Sequence, residues 1–190
     1  MILVFFLFLH LTGIVYAGIY PKGFEIYVSS LHSNIFLPFL EIGLAFTFMI
    51  HIFLTIQKSI QNHSNGNTAF LKTRRSDSLG VLTSKIQPLT GIILTAFLIL
   101  HLSQLRFPRP EANLELTFLK NNLESIHILL LYWLGAIALC FHMIQGIESA
   151  HRSIGILNKK NSLKIRNFGR LISIFFGILF CFMSYYLRLD

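Results

Sequence analysis

IHILLLYWLGAIALCFHMIQGI, residues 126–147, runs for 22 residues without one Asp, Glu, Lys or Arg. At 1.5 Å of rise per residue such a helix reaches about 33 Å, enough to cross the roughly 30 Å hydrocarbon core of a bilayer. Four further stretches meet or approach the same standard: Met1–Tyr16, Asn34–Ile56, Ile86–Leu105 and Phe168–Leu187. All are continuous apolar runs rather than ten-residue alternating segments, so they read as helices and not as strands of a barrel. The expected fold is therefore all-α: a polytopic membrane protein whose five transmembrane helices form one bundle, a single transmembrane domain over residues 1–190. Composition points the same way, since 54% of the 190 residues are apolar and 13% charged, about half the charged fraction of an average soluble domain. A soluble globular enzyme and a disordered tail are excluded. Cys140 and Cys181 each lie in an apolar run with no C-x-x-C partner, which excludes a disulfide scaffold, covalent c-type haem attachment and a zinc ribbon.

Lysine and arginine give the orientation. Lys58, Lys72, Arg74, Arg75 and Lys85 lie between the second and third spans, and Arg152, Lys159, Lys160, Lys164, Arg166 and Arg170 between the fourth and fifth or at their edge. These are eleven of the 16 basic residues, opposed on that side only by Asp77 and Glu148. On the other side Lys22, Arg106, Arg109, Lys120 and Arg188 are diluted by Glu25, Glu111, Glu115, Glu124 and Asp190. Excess positive charge marks the cytoplasmic face, so the N-terminus is expected inside and the C-terminus outside. Topology thus accounts for the net charge of +8, which points away from nucleic acid as a partner. Residues 1–17 also resemble a signal-peptide core followed by a small-residue cleavage site. They lack a basic start, however, and His10 interrupts the run, so a membrane span is the expectation.

Four of the eight histidines, His10, His51, His101 and His142, sit inside apolar spans. An ionisable side chain there is costly unless satisfied, and marks a functional site by default. Their heights matter more than their number. His51 and His142 fall late in spans that run inward, whereas His10 and His101 fall in the outer part of spans that run outward. Two layers result, His51 with His142 nearer the cytoplasm and His10 with His101 nearer the exterior. Two imidazoles from facing helices at one depth are the axial ligand set of a b-type haem. Zinc or copper would want three or four donors at one depth. The layers imply two haems whose irons stand about 15–18 Å apart along the membrane normal.

On the fourth span Gly135, Ala138, His142, Gly146 and Ser149 recur at spacings of three and four and share one helical face. Small residues beside a ligand leave room for a flat macrocycle; they equally permit close packing of two helices. Thr90 precedes His101 by eleven residues on nearly the same face, with Gly91 beside it. Arg74 and Arg75, or His151 and Arg152, are candidates for holding haem propionates or a docked partner, and as ordinary cytoplasmic charges they need neither role.

The order and spacing of these pieces resemble the five-helix, two-haem cytochrome b membrane anchor of succinate dehydrogenase and fumarate reductase. The resemblance is carried by Gln87-Pro88-Leu89-Thr90-Gly91-Ile92-Ile93 with His101 ten residues after the glycine, by Glu41 with His51 ten residues on, by Leu134-Gly135 through His142 to Gly146, by Phe8-Leu9-His10-Leu11, and by Lys22-Gly23-Phe24-Glu25 with His32 seven residues later. It implies that helix one pairs its ligand with helix three and helix two with helix four. It also implies a flavoprotein and an iron–sulfur subunit as partners, quinone as substrate, and a multi-pass place in the bacterial cytoplasmic (inner) membrane.

No flavin or iron–sulfur motif occurs in this chain, so dicarboxylate chemistry would belong to the partners, and this chain would be the electron-transfer subunit without complete activity alone. Quinone reduction needs protons, and Glu25 and His32 in the outer loop are the candidates for supplying them. Two other classes fit parts of the pattern: a hydrogenase- or formate dehydrogenase-type cytochrome b anchor, whose histidines lie on other helix pairs, and a non-redox transporter or assembly protein in which the histidines only pack.

Overall fold

Polar punctuation, more than apolar content, sets where the helices begin and end. The computed structural model describes residues 1–66, 77–108, 110–111, 113–158 and 160–189. They form seven α-helices: α1 (Ile2–Ile19), α2 (Pro21–His32), α3 (Leu37–Ser64), α4 (Ser78–His101), α5 (Glu115–Glu124), α6 (Ile126–Ser153) and α7 (Ser162–Leu189). No strand occurs among the described residues. Five of these helices, α1, α3, α4 with the turn that follows it, α6 and α7, are long and apolar enough to cross a membrane. The fold is thus an all-α, multi-pass membrane fold with five candidate spans.

The chain divides into two compact units, Met1–Ser76 and Asp77–Asp190. In the first, α1 gives way to α2 at Tyr20, where Pro21 occupies the first helical position of α2; proline there lacks only an N–H that would have had no helical partner. Gly23 is needed at this corner. A side chain there would collide with the Tyr20 ring and the Tyr16 hydroxyl, and Tyr16 stands edge-on to Tyr20 and Tyr27 at 5.9 and 6.4 Å between ring centroids. Along α3 the hydroxyls of Thr47 and Thr55 donate to the Gly43 and His51 carbonyls, each at 2.8 Å. Backbone acceptors on the same helix satisfy them where lipid offers nothing.

In the second unit Asp77 caps α4, its Oδ1 accepting the Gly80 N–H at 3.1 Å. Past His101 the helix widens into a π turn, Leu102–Arg106, in which the Phe107 N–H reaches back to the Leu102 carbonyl at 2.9 Å. Helix α6 packs against both α4 and α7, and the short α5 lies against α6 and α7. Lipid tails are as apolar as leucine, so close contact rather than escape from water holds spanning helices together. The α6–α7 seam shows how. Gly169, Ser173 and Gly177 recur every four residues and are buried, and a Cβ on Gly177 would lie 2.8 Å from Cys140 Cβ. Phe176, Leu129 and Leu187 fill the rest of that interior.

Several helices outrun their apolar stretches. The expected second span ends at Ile56, yet α3 continues to Ser64; the expected third begins at Ile86, yet α4 starts at Ser78. Gln57 through Ser64 contains no proline or glycine to stop a helix, and Asp77 supplies a starting cap. Likewise α6 runs on to Ser153 and α7 starts at Ser162. Just beyond the ends of α3 and α6 lie Gly66 and Gly155, with φ of +56° and +78°, a left-handed conformation that glycine adopts without penalty. Helices α2 and α5 are too short and too polar to register as spans and went unassigned in the sequence.

Candidate functional site

Two of the four intramembrane histidines lie in the second unit, and each is gripped by a hydroxyl from the opposite helix. His142 on α6 has its Nδ1 3.2 Å from the Thr90 hydroxyl on α4. His101 on α4 has its Nδ1 3.2 Å from the Tyr132 hydroxyl on α6. Two such contacts, ten residues apart on α6 and eleven on α4, require the helices to run antiparallel. They also put the imidazoles at two levels about 15–16 Å apart along the bundle.

The lower level is built from Gln87, Thr90, Gly91, His142 and Gly146. Gln87 Nε2 donates to the His142 main-chain carbonyl at 3.3 Å, and Thr90 donates its hydroxyl proton to the Gln87 carbonyl at 3.0 Å. Thr90 is 4% exposed. A Cβ on Gly91 would stand 3.6 Å from His142 Cε1, in ordinary contact, so the imidazole lies along the open side of that glycine. The Gln87 and Gln145 Oε1 atoms are buried with no hydrogen-bond partner among the described residues. As acceptors they call for a donor, such as an ordered water.

At the upper level Phe97 stacks on His101, with ring centroids 5.5 Å apart and planes 24° apart, and meets Tyr132 edge-on at 5.4 Å. Gly135 receives this cluster: a Cβ there would lie 2.7 Å from Phe97 Cδ2. Of the two readings of the small-residue face on α6, close helix packing is therefore the one realised at Gly135.

In the first unit His10 stacks on Phe6 within α1, at 5.6 Å between centroids and 15° between planes, and His51 sits in the middle of α3. Glu25 and His32 both belong to α2. Seven residues apart, they share one face of that helix about 10 Å from each other along its axis. Arg74 and Arg75 lie outside the described residues. His151 and Arg152 occupy the last turn of α6. The His151 Nδ1 is 2.7 Å from the Ile147 carbonyl, and Arg152, half exposed, donates to the buried Glu148 carboxylate at 2.9 Å.

The start of α4 and the start of α7 are clasped by charge. Arg170 donates to both Asp77 oxygens at 2.7 Å, and Arg166 to Oδ2 at 3.2 Å. Burial alone pulls the Asp77 carboxyl upward. The Arg170 hydrogen bond, the Gly80 N–H and the charges of Arg170 and Arg166 outweigh it and hold the group below the ordinary carboxylate range. Together with Glu148 and Arg152 these residues gather charge at one end of the second unit.

Among the described residues no three His, Cys, Asp or Glu side chains converge as a metal-ion site; a haem asks the protein for only one or two axial donors. The chain matches no family profile, no curated protein and no solved structure. Sequence reading missed Tyr132 and the burial of Glu148. The signal available for Tyr132 was its spacing, ten residues before His142 on a helix whose antiparallel neighbour carries Thr90 eleven residues before His101.

Proposed function

We propose that this chain is the haem b-containing membrane anchor of a succinate:quinone oxidoreductase, with His51 and His142 as axial ligands of an inner haem and His10 and His101 of an outer one. One observation carries the reading: two imidazoles on antiparallel spans stand at two levels about 15–16 Å apart, each with Nδ1 engaged by a hydroxyl of the facing helix at 3.2 Å. A histidine that binds iron through Nε2 characteristically has its Nδ1 so engaged, which fixes the ring's orientation. The face of Gly91 that carries no side chain receives the His142 imidazole itself. When bound, bis-histidine haem supplies one-electron transfer between an iron–sulfur partner and quinone, with both axial positions filled.

The chain's own residues have narrower tasks. Thr90 and Tyr132 orient the imidazoles. Asp77, Arg166 and Arg170 hold the starts of α4 and α7 together at the charged end of the second unit, the end that the charge distribution assigns to the cytoplasm and hence to the flavoprotein and iron–sulfur subunits. Glu25 and His32, on one face of α2, are the groups assigned to proton exchange with quinone, and the localisation that follows is the bacterial cytoplasmic membrane.

Reduced-minus-oxidised spectra of the chain purified from its native membrane test the reading. Two haems b per chain are expected, and His142→Ala should lose one of them and retain the other. Absence of haem b from the parent protein overturns the proposal, and unchanged haem content in His142→Ala overturns the ligand assignment.

A further inference from the structure

Gln87, Thr90 and His142 close a circuit between α4 and α6. The Gln87 side chain donates to the His142 main-chain carbonyl at 3.3 Å, the Thr90 hydroxyl donates to the Gln87 main-chain carbonyl at 3.0 Å, and the Thr90 oxygen stands 3.2 Å from His142 Nδ1. A hydroxyl owns one proton. Thr90 is 4% exposed, and its hydroxyl points to a carbonyl one turn back on its own helix. With that proton on the Gln87 carbonyl, the oxygen meets His142 as an acceptor; Nδ1 then carries hydrogen, and in the neutral imidazole the lone pair falls on Nε2.

From this circuit we infer that Thr90 is a positioning residue: it fixes His142 in the Nδ1–H form, so that Nε2 is the nitrogen presented as a ligand. The inference rests on the proposal that His142 is an axial ligand, and deepens it by naming what selects the ligating nitrogen. It applies to one level only. A tyrosine phenol cannot bond back to its own helix as threonine does, so Tyr132 imposes no such constraint on His101. The second haem therefore serves as an internal control. Accepting the Nδ1–H bond makes the imidazole a stronger donor to ferric iron, so Thr90 should also lower the reduction potential of the haem that His142 holds.

The test compares Thr90→Val, which keeps the shape and loses the hydroxyl, with Thr90→Ser, which keeps the hydroxyl. Haem content, the low-spin ferric EPR signals and redox titrations are read on the purified protein, and ¹⁵N-histidine NMR reads the tautomer directly. In Thr90→Val one haem should bind 10- to 100-fold more weakly, or, where retained, shift toward the ferrous form. A tenfold shift in that equilibrium corresponds to 59 mV for a one-electron couple. The other haem should be unmoved, and Thr90→Ser should match the parent.

Two normal haem signals in Thr90→Val overturn the inference and leave the haem reading standing. Equal damage in both variants also overturns it, because packing rather than the hydroxyl would then be responsible. A parent protein without haem b overturns the reading beneath it. A His142 signal showing Nε2–H in the haem-free chain overturns the tautomer assignment by itself.

Discussion

Replacing Gly135 by alanine should loosen the α4–α6 seam at the level of His101. The added Cβ would lie 2.7, 2.8 and 2.9 Å from Phe97 Cδ2, Cγ and Cε2, whereas carbon atoms rest about 3.5–4.0 Å apart. The ring must therefore retreat by about 1 Å. It cannot do so cheaply, because the contacting atoms include the base of a rigid ring held between His101 at 5.5 Å and Tyr132 at 5.4 Å. Overpacking of this kind costs about 1–3 kcal/mol, and alanine returns up to about 1 kcal/mol through its better helix propensity.

A ring that cannot move aside takes the upper part of that range, about 2–3 kcal/mol, so less about 1 kcal/mol for helix propensity the net is a loss of about 1–2 kcal/mol, a factor of roughly 5–30 in an equilibrium or a rate. Thermal inactivation in detergent is irreversible for most membrane proteins and is best read as a half-life. At a fixed temperature the half-life of Gly135→Ala should be about 5- to 30-fold shorter than the parent's, and any haem signal assigned to His101 should broaden before the one assigned to His142. Gly43→Ala is the control: among the described residues nothing beyond its own stretch of helix lies within 4 Å of its added Cβ, so the half-life should hold or lengthen. A Gly135→Ala protein as durable as the parent would refute the packing argument.

Asp77→Asn should destabilise the second unit by about 1–3 kcal/mol, below the cost of breaking a fully buried pair because Arg166 and Arg170 remain 25% and 21% exposed; thermal inactivation half-lives measure it. The same pair predicts a pH dependence. A carboxyl held below its unfolded value contributes stability that is fully present above about pH 3.9 and is lost as pH falls through its lower folded value, so acid inactivation should be steep below pH 4 in the parent and shallower in Asp77→Asn. Trp133 Nε1 donates to the Cys181 carbonyl at 3.1 Å, and Trp133→Phe should cost about 0.5–1.5 kcal/mol, read as a lower melting temperature by circular dichroism.

The number of spans and their apolar centres were legible because lipid imposes one requirement on every residue of a crossing helix. Helix ends were less legible. Residues 57–64 are polar and satisfy no span criterion, yet nothing in them opposes a helix, and α3 simply continues through them. Helices α2 and α5 hide for the opposite reason: twelve and ten residues long, they fall short of the length on which membrane reasoning depends. At the candidate site the histidines were visible as expensive residues in apolar runs. Their hydroxyl partners were not, because a Thr–His or Tyr–His contact across two helices depends on helix direction and rotation. Thr90 illustrates the limit. Its place on the face of His101 was readable from the eleven-residue spacing, while the imidazole its oxygen meets is that of His142, 52 residues away in sequence.

Whether an intramembrane histidine packs or ligates turns on which of its nitrogens the surroundings control. A packing histidine lowers its cost in lipid by satisfying either nitrogen with whatever backbone carbonyl is near, as His151 does with Ile147 one turn away at 2.7 Å. A ligand has a stricter need: one nitrogen must be tied and the other must keep its lone pair in a fixed direction. His101 and His142 both engage Nδ1 with a side-chain hydroxyl of another helix, an arrangement that orients the ring as a local carbonyl one turn away on the same helix does not require. At His142 the inferred donation from Thr90 to the Gln87 carbonyl would also choose the tautomer. Packing alone gives no reason for that second constraint. The proposed coordination through Nε2 would, and for this reason Thr90→Val is a sharper probe than removal of the histidine itself: it leaves the imidazole in place and takes away only the hydroxyl inferred to set which nitrogen it offers.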